Sequence, residues 1–197
     1  MNLLAYRIIF CLIGTVLLTA CASPPSRFYT LNPTQELLAG SPSTVSVAVG
    51  PVSIPEAVNR PEMVVQVGPN QVALDEFNRW AAPLQADIQR VVMENLARLL
   101  GTPRVSRYPQ GPITTPDFRV QIEVLRFESM PGEAVLLDII WTVRGKSEKD
   151  EQTGRTTLRE PAMGSSYDAL VAAHSRALSM FSRELAQWIL ELERPPG

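Results

Sequence analysis

Phe118-Arg119-Val120-Gln121-Ile122-Glu123-Val124, followed after a short interval by Ala134-Val135-Leu136-Leu137-Asp138-Ile139-Ile140-Trp141-Thr142-Val143-Arg144, is the stretch whose pattern decides the fold. In the first run apolar residues alternate with Arg119, Gln121 and Glu123, the period of two that puts one side of a strand in a core and the other in water. The phase slips at Leu125 and Phe127, which predicts a β-bulge. The second run is apolar on both sides, with Leu137, Ile139, Trp141 and Val143 on one and Leu136 and Ile140 on the other, the mark of a strand inside a sheet. Asp138 interrupts it. A solvated edge position is the expectation for this carboxylate; if buried, it needs a partner, for which Arg144, Arg126 and Arg119 are candidates.

Toward the C-terminus, Thr153-Gly154 marks a turn into a short strand, Thr156 to Leu158. Tyr167 to Glu193 then places Leu170, Leu178, Phe181, Leu185, Trp188, Ile189 and Leu192 at helical spacing, an amphipathic helix of about seven turns. Toward the N-terminus, Leu84, Ile88, Val91, Val92, Leu96, Leu99 and Leu100 define a second helix. Pro83 suits its first turn and Gly101 its end. Before it come Arg27 to Leu31, Thr44 to Val52, Met63 to Val67 and Gln71 to Leu74, all strand-like, the last two joined by Gly68-Pro69-Asn70. Asn32 to Ser43 and Tyr108 to Pro116 read as irregular, and Val105 as part of a short strand. The sum is an α/β chain: a single domain in which a mixed β-sheet is packed by two main amphipathic helices. Strand order does not follow from the pattern.

The first twenty residues have a different purpose. Arg7 precedes an apolar run from Ile8 to Leu18 that closes on Leu18-Thr19-Ala20-Cys21. A cation, an apolar core and a small residue before the cut make a secretory signal. The run falls short of the roughly 20 residues that span a bilayer. The cysteine directly after the small residue makes it a lipoprotein signal, because its thiol can take a diacylglyceryl group and its freed amine a palmitoyl chain. Each buried methylene contributes about 0.8 kcal/mol, so two or three chains anchor permanently. Residues 1–20 are thus expected to be cleaved, 21–26 to form the lipidated Cys21 and a short proline tether, and 27–197 to form the domain. Six residues from Cys21 to Ser26 reach at most about 20 Å. Cys11 leaves with the signal and Cys21 is consumed, so the mature chain forms no disulfide and depends on its core.

Composition agrees with a globular domain, at 45% hydrophobic and 19% charged residues. The net charge of −2, or −3 without Arg7, gives no support to nucleic-acid binding. Residues fit for chemistry are sparse. His174, the only histidine, lies on the apolar side of its helix, four residues from Leu170 and from Leu178; a core-edge histidine bonded to another element is expected, and no nucleophile can be placed beside it. One histidine and no free cysteine are too few for a zinc site of nitrogen and sulfur ligands. Asp75-Glu76 reads as acidic residues before the first helix, and Glu148, Asp150 and Glu151 with Lys146 and Lys149 as a polar turn. There is no Walker sequence and no GxGxxG, and Ser165 and Ser166 lack the flanks of a nucleophile elbow. Trp80, Trp141 and Trp188 read as core or interface residues. No enzyme, cofactor or metal is expected.

Several segments together resemble one family. They are Arg27-Phe28-Tyr29-Thr30-Leu31 after Cys21; Val49-Gly50-Pro51-Val52-Ser53-Ile54-Pro55-Glu56 with Asn59-Arg60-Pro61; Glu76-Phe77-Asn78-Arg79-Trp80 with Pro83-Leu84; Asn95-Leu96 through Gly101; Trp141; and Tyr167-Asp168-Ala169-Leu170-Val171 with Ala173-His174-Ser175. In this the chain resembles the PqiC-like auxiliary lipoproteins of ABC-type and MCE-domain transport systems. The resemblance implies a non-enzymatic lipoprotein on the periplasmic face of the outer membrane. Its partners would be inner-membrane transporter components and a periplasm-spanning MCE-domain protein, and its work lipid transport that supports envelope integrity. Ala22, where an aspartate commonly retains lipoproteins at the inner membrane, favours the outer membrane. Self-association in a ring is compatible with this but no periodicity demonstrates it.

Candidate partner-binding residues are Ile54, Pro55, Asn59, Arg60, Arg79 and Trp80, which lie in or beside loops and include arginine and an aromatic. The same residues could instead brace the sheet against the helix. An alternative function is a lipoprotein that itself holds a lipid or small hydrophobic ligand in a cavity.

Overall fold

The structure, a computed structural model, describes residues 24–34, 43–147 and 150–193. The signal, Cys21, residues 35–42 of the predicted loop, and Glu148 and Lys149 lie outside the described residues. Along the chain come β1 (Arg27–Tyr29), β2 (Val47–Ser53), β3 (Glu62–Gly68), β4 (Gln71–Trp80), α1 (Leu84–Leu100), β5 (Val105–Arg107), β6 (Phe118–Met130), β7 (Ala134–Arg144), β8 (Glu151–Pro161) and α2 (Tyr167–Glu193). The mixed α/β character and the two helices agree with the sequence pattern, and the strands divide between two sheets. One has five strands in the order β5-β2-β6-β7-β8, the other three in the order β1-β4-β3.

In the larger sheet β2 runs parallel to both β5 and β6, whereas β6, β7 and β8 form an antiparallel meander. Both helices cover one face of it, α1 over β2 and β5 and α2 over β6, β7 and β8, and they pack on each other. The alternation in β6 and β7 is satisfied by this arrangement. Val120, Ile122 and Val124 meet Leu137, Ile139, Trp141 and Val143 under the helices, all buried. The register slips between Val124 and Arg126, the bulge predicted at Leu125, and it returns Phe127 to the core.

α1 begins directly after Pro83 and stops at Gly101, which has φ 64° and ψ 30° and gives its N–H to the carbonyls of the last turn. A left-handed residue there is favourable only for glycine. In α2 the small residues Ala173, Ala177, Ser182 and Ala186 are buried, which lets the helices approach closely. Asn95 of α1 donates across their interface to Ser182 (3.3 Å). An aromatic stack ties the smaller sheet to this core: Trp80 meets Phe127 edge-on (6.1 Å), and Phe127 lies flat on His174 (3.8 Å, 4°). His174 is wholly buried, its Nε2 2.8 Å from Ser129 Oγ, and burial pushes its pKa down to about 3.

Three expectations change. Asp138 is not at a solvated edge: it is 3% exposed, and Arg155 of β8 donates to both of its oxygens (2.9 and 2.7 Å), with Thr157 adding a third bond (3.1 Å). Arg155, in the strand paired to β7, is the main partner, and it holds the carboxyl below the ordinary range. β8 spans Glu151–Pro161 rather than Thr156 to Leu158. Its outward side is Thr153, Arg155, Thr157 and Arg159, and its inward side includes Gln152 and Gly154, so pairing with β7 holds a strand that carries almost no apolar period. β4 runs on to Trp80, so Asp75 and Glu76 belong to a strand and do not lead into the helix.

Candidate docking cleft

The cleft begins where β2 ends. After Ser53 the chain turns tightly, Val58 N–H donating to Pro55 O (3.1 Å), Asn59 N–H to Glu56 O (3.2 Å) and Arg60 N–H to Val58 O (2.9 Å). β3 then pairs with β4 in a ladder whose register shifts twice, slightly beside the turn between Gln66 and Gly68 and more widely near Trp80: Met63 faces Asp75, yet Glu62 faces Arg79. The surplus residues Glu76 to Asn78 are gathered by Asp75. Its carboxylate accepts from the N–H groups of Phe77 and Asn78 and from Asn78 Nδ2, each at 2.9 Å. Burial pushes Asp75 up, but the hydrogen bonds from Tyr167, Asn78 and the two backbone N–H groups outweigh it and hold the pKa at about 2. A carboxylate that organises a bulge in this way is a local backbone cap.

The bulge brings Arg79 back to the edge of β3. Glu62 stands between two guanidinium groups, 3.1 Å from Arg79 and 3.5 Å from Arg60. Trp80 N–H donates to Pro61 O (2.7 Å) and Ala81 N–H to Tyr29 O (2.8 Å), which closes the bottom. Asn59, Arg60 and Pro61 form one wall of a cleft of about 320 Å³, and Trp80 to Leu84 form the other. Two arginines sharing one carboxylate leave an excess of positive charge and unused N–H donors beside it.

Of the six residues read as a docking patch, Asn59, Arg60 and Trp80 line this cleft, and Arg79 is coupled to Arg60 through Glu62. Trp80 is 6% exposed, so it offers a partner only the part of its ring that the cleft leaves open. Pro55 lines a neighbouring open groove of about 280 Å³ with Val58, Val64 and Val72, and Ile54 packs against the core. Glu62 and the backbone from Ala81 to Pro83 were not legible: without the bulge, nothing in the sequence sets residue 62 opposite residue 79. No group of three or more His, Cys, Asp or Glu stands together as metal ligands among the described residues.

The model of the ABC-type transport auxiliary lipoprotein component matches residues 29–186, nearly all of both sheets and most of α2. The chain belongs to that family. Membership makes this auxiliary lipoprotein a membrane-associated component of a transport system and points away from catalysis. Among solved structures, a DUF330 protein from Xanthomonas campestris is similar at 20% identity, with a TM-score of 0.71 over 85% of this chain and 96% of that one. A second crystal structure, of an uncharacterized protein, is similar at 19% identity, with a TM-score of 0.68 over 84% of this chain and 99% of that one. These two likenesses establish the fold of the auxiliary lipoprotein. No curated protein matches its sequence. Among its described residues no helix is long and apolar enough to cross a membrane.

Proposed function

We propose that this auxiliary lipoprotein is a non-enzymatic component of an ABC- or MCE-type intermembrane lipid transport system that supports envelope integrity. It is acylated at Cys21 with diacylglyceryl and palmitoyl groups and held on the periplasmic face of the outer membrane. It docks a periplasmic MCE-domain partner at the cleft of Asn59, Arg60, Arg79 and Trp80. The observation that carries this reading is the family match over residues 29–186, standing a few residues after Cys21, the cysteine read as the lipid-attachment site. The cleft supports the choice of surface: it is concave and lined by Arg60, which Glu62 links to Arg79, and arginine is enriched where binding energy concentrates.

The apolar groove beside β3 is open to solvent and, at about 280 Å³, sits at the lower limit of ligand pockets. The docking reading therefore stands ahead of one in which the chain itself encloses a lipid. Capture of the transport partner from solubilised membranes by the Arg60→Ala/Arg79→Ala variant tests it. A loss of about tenfold in apparent affinity, equivalent to ~1.4 kcal/mol, is expected with an unchanged melting temperature. Undiminished capture would remove these arginines from the interface.

A further inference from the structure

We infer that one end of the domain, made of the β3–β4 turn, the β6–β7 turn and the β8–α2 loop, lies in the lipid surface that holds the anchor, with Val67, Val72 and Met163 entering its interfacial layer. The inference rests on the reading that Cys21 is acylated.

Topology supplies the direction. β1 pairs with β4 in parallel, Arg27 beside Asn78 and Tyr29 beside Trp80. The chain therefore enters β1 from the side on which β4 begins, which is the side of the β3–β4 turn. Cys21 to Ser26 reach at most about 20 Å, and β4 back from Asn78 to Gln71 covers roughly the same length at 3.3 Å per residue. Within that reach, the acylated cysteine can stand beside that turn.

Two further segments meet there. Gln66, Val67, Gly68 and Pro69 lie against Met130, Pro131 and Glu133 of the β6–β7 turn. Ala162 N–H in turn donates to Glu133 O (3.1 Å), which brings in the loop that carries Met163. Val67, Val72 and Met163 are 54%, 60% and 83% exposed. A single exposed apolar residue is ordinary. Three of them, two on the β3–β4 hairpin and one on the β8–α2 loop, gathered at the end from which a lipid tether would arrive, form a surface fitted to an apolar medium. Glu128, Glu133 and Glu160 of this end are ion-paired with Arg126, Arg159 and Arg176, which lowers the charge cost of the contact.

The acyl chains already hold the protein, so the apolar end contributes orientation more than affinity. It sets β4 on end, with the cleft at Trp80 about 25–30 Å from the lipid surface, at the far end of a ten-residue strand. A partner spanning the periplasm would find the cleft presented to it.

The test uses the mature protein purified from membranes and reconstituted into phosphatidylethanolamine–phosphatidylglycerol vesicles. Val72→Cys, Met163→Cys and, as a control, Thr114→Cys each carry a fluorophore. Thr114 precedes β6, whose thirteen residues set it about 40 Å from the apolar end. With Cys11 removed and Cys21 in a thioether, each variant has one free thiol. Brominated acyl chains should quench the labels at 72 and 163 several-fold more than that at 114. Equal, weak quenching at all three positions in protein of acylated mass overturns the inference and leaves the anchor reading intact. Shielding at 72 and 163 that appears only at high protein-to-lipid ratio assigns this end to a second copy and overturns it as well. An intact mass without acyl groups overturns the anchor reading, and the inference with it.

Discussion

His174 is pushed down to about 3 by burial alone, and this has a sign that can be worked out. The unfolded chain takes up the imidazole proton near pH 6.5, while the folded chain excludes it until about pH 3. The folded-state pKa is depressed, so the stability it contributes is complete above about pH 6.5 and declines as pH falls, by up to about 1.4 kcal/mol per pH unit. His174→Gln removes that proton and keeps a hydrogen-bonding group for Ser129. Urea unfolding at pH 7, 6 and 5 should show the slope in the parent and its absence in the variant; equal slopes would place the titration elsewhere. The residue's place on an apolar helix side was legible, and its stacking on Phe127 was not. Asp138 teaches the same lesson from the other direction. Its burial could not be read because Arg155, which makes burial tolerable, stands across a strand whose extent the pattern did not reveal.

At the level of elements, the helices and the strands β6 and β7 were readable because one periodic side of each meets the core. β8 and the second half of β4 were not, because pairing rather than apolar period holds them. Trp141 shows how much such a paired strand can matter. Gly154 stands opposite it in β8, and the indole lies so close that a side-chain carbon at 154 would overlap the edge of the ring. Trp141 Nε1 then donates to Thr156 Oγ1 at 2.9 Å. Gly154→Val should displace the indole, break that bond and cost about 1–3 kcal/mol, the range for overpacking a filled site. Guanidinium unfolding together with tryptophan fluorescence checks both effects, and an unshifted midpoint would show that the indole has room to move. The docking cleft belongs to this scale too. Arg60, Arg79 and Trp80 could be picked out as residue types suited to an interface, but only the bulge at Asp75 decides that the two arginines share Glu62.

For the whole molecule the tether is the telling dimension. With Cys21 acylated as proposed, a tether of at most about 20 Å from Cys21 to β1 makes the lipid surface constrain how the domain stands as well as where it is. Inserting about ten glycine and serine residues between Ser23 and Pro24 adds a random coil of roughly 17 Å mean extension. The melting temperature and membrane association should not change, whereas lipid quenching at position 72 and transport-dependent envelope integrity should both fall. An unaffected phenotype would reduce the anchor to an address. The α/β class, the two helices and the family were determined by the sequence itself, because each is written in local order: a period of two or 3.6, a run of segments in fixed succession. The division into two sheets, the burial of Asp138, the sharing of Glu62 and the gathering of Val67, Val72 and Met163 at one end of the domain were decided only by tertiary structure. Each depends on residues far apart in the chain being brought into register, and register is fixed by the packing of the whole core.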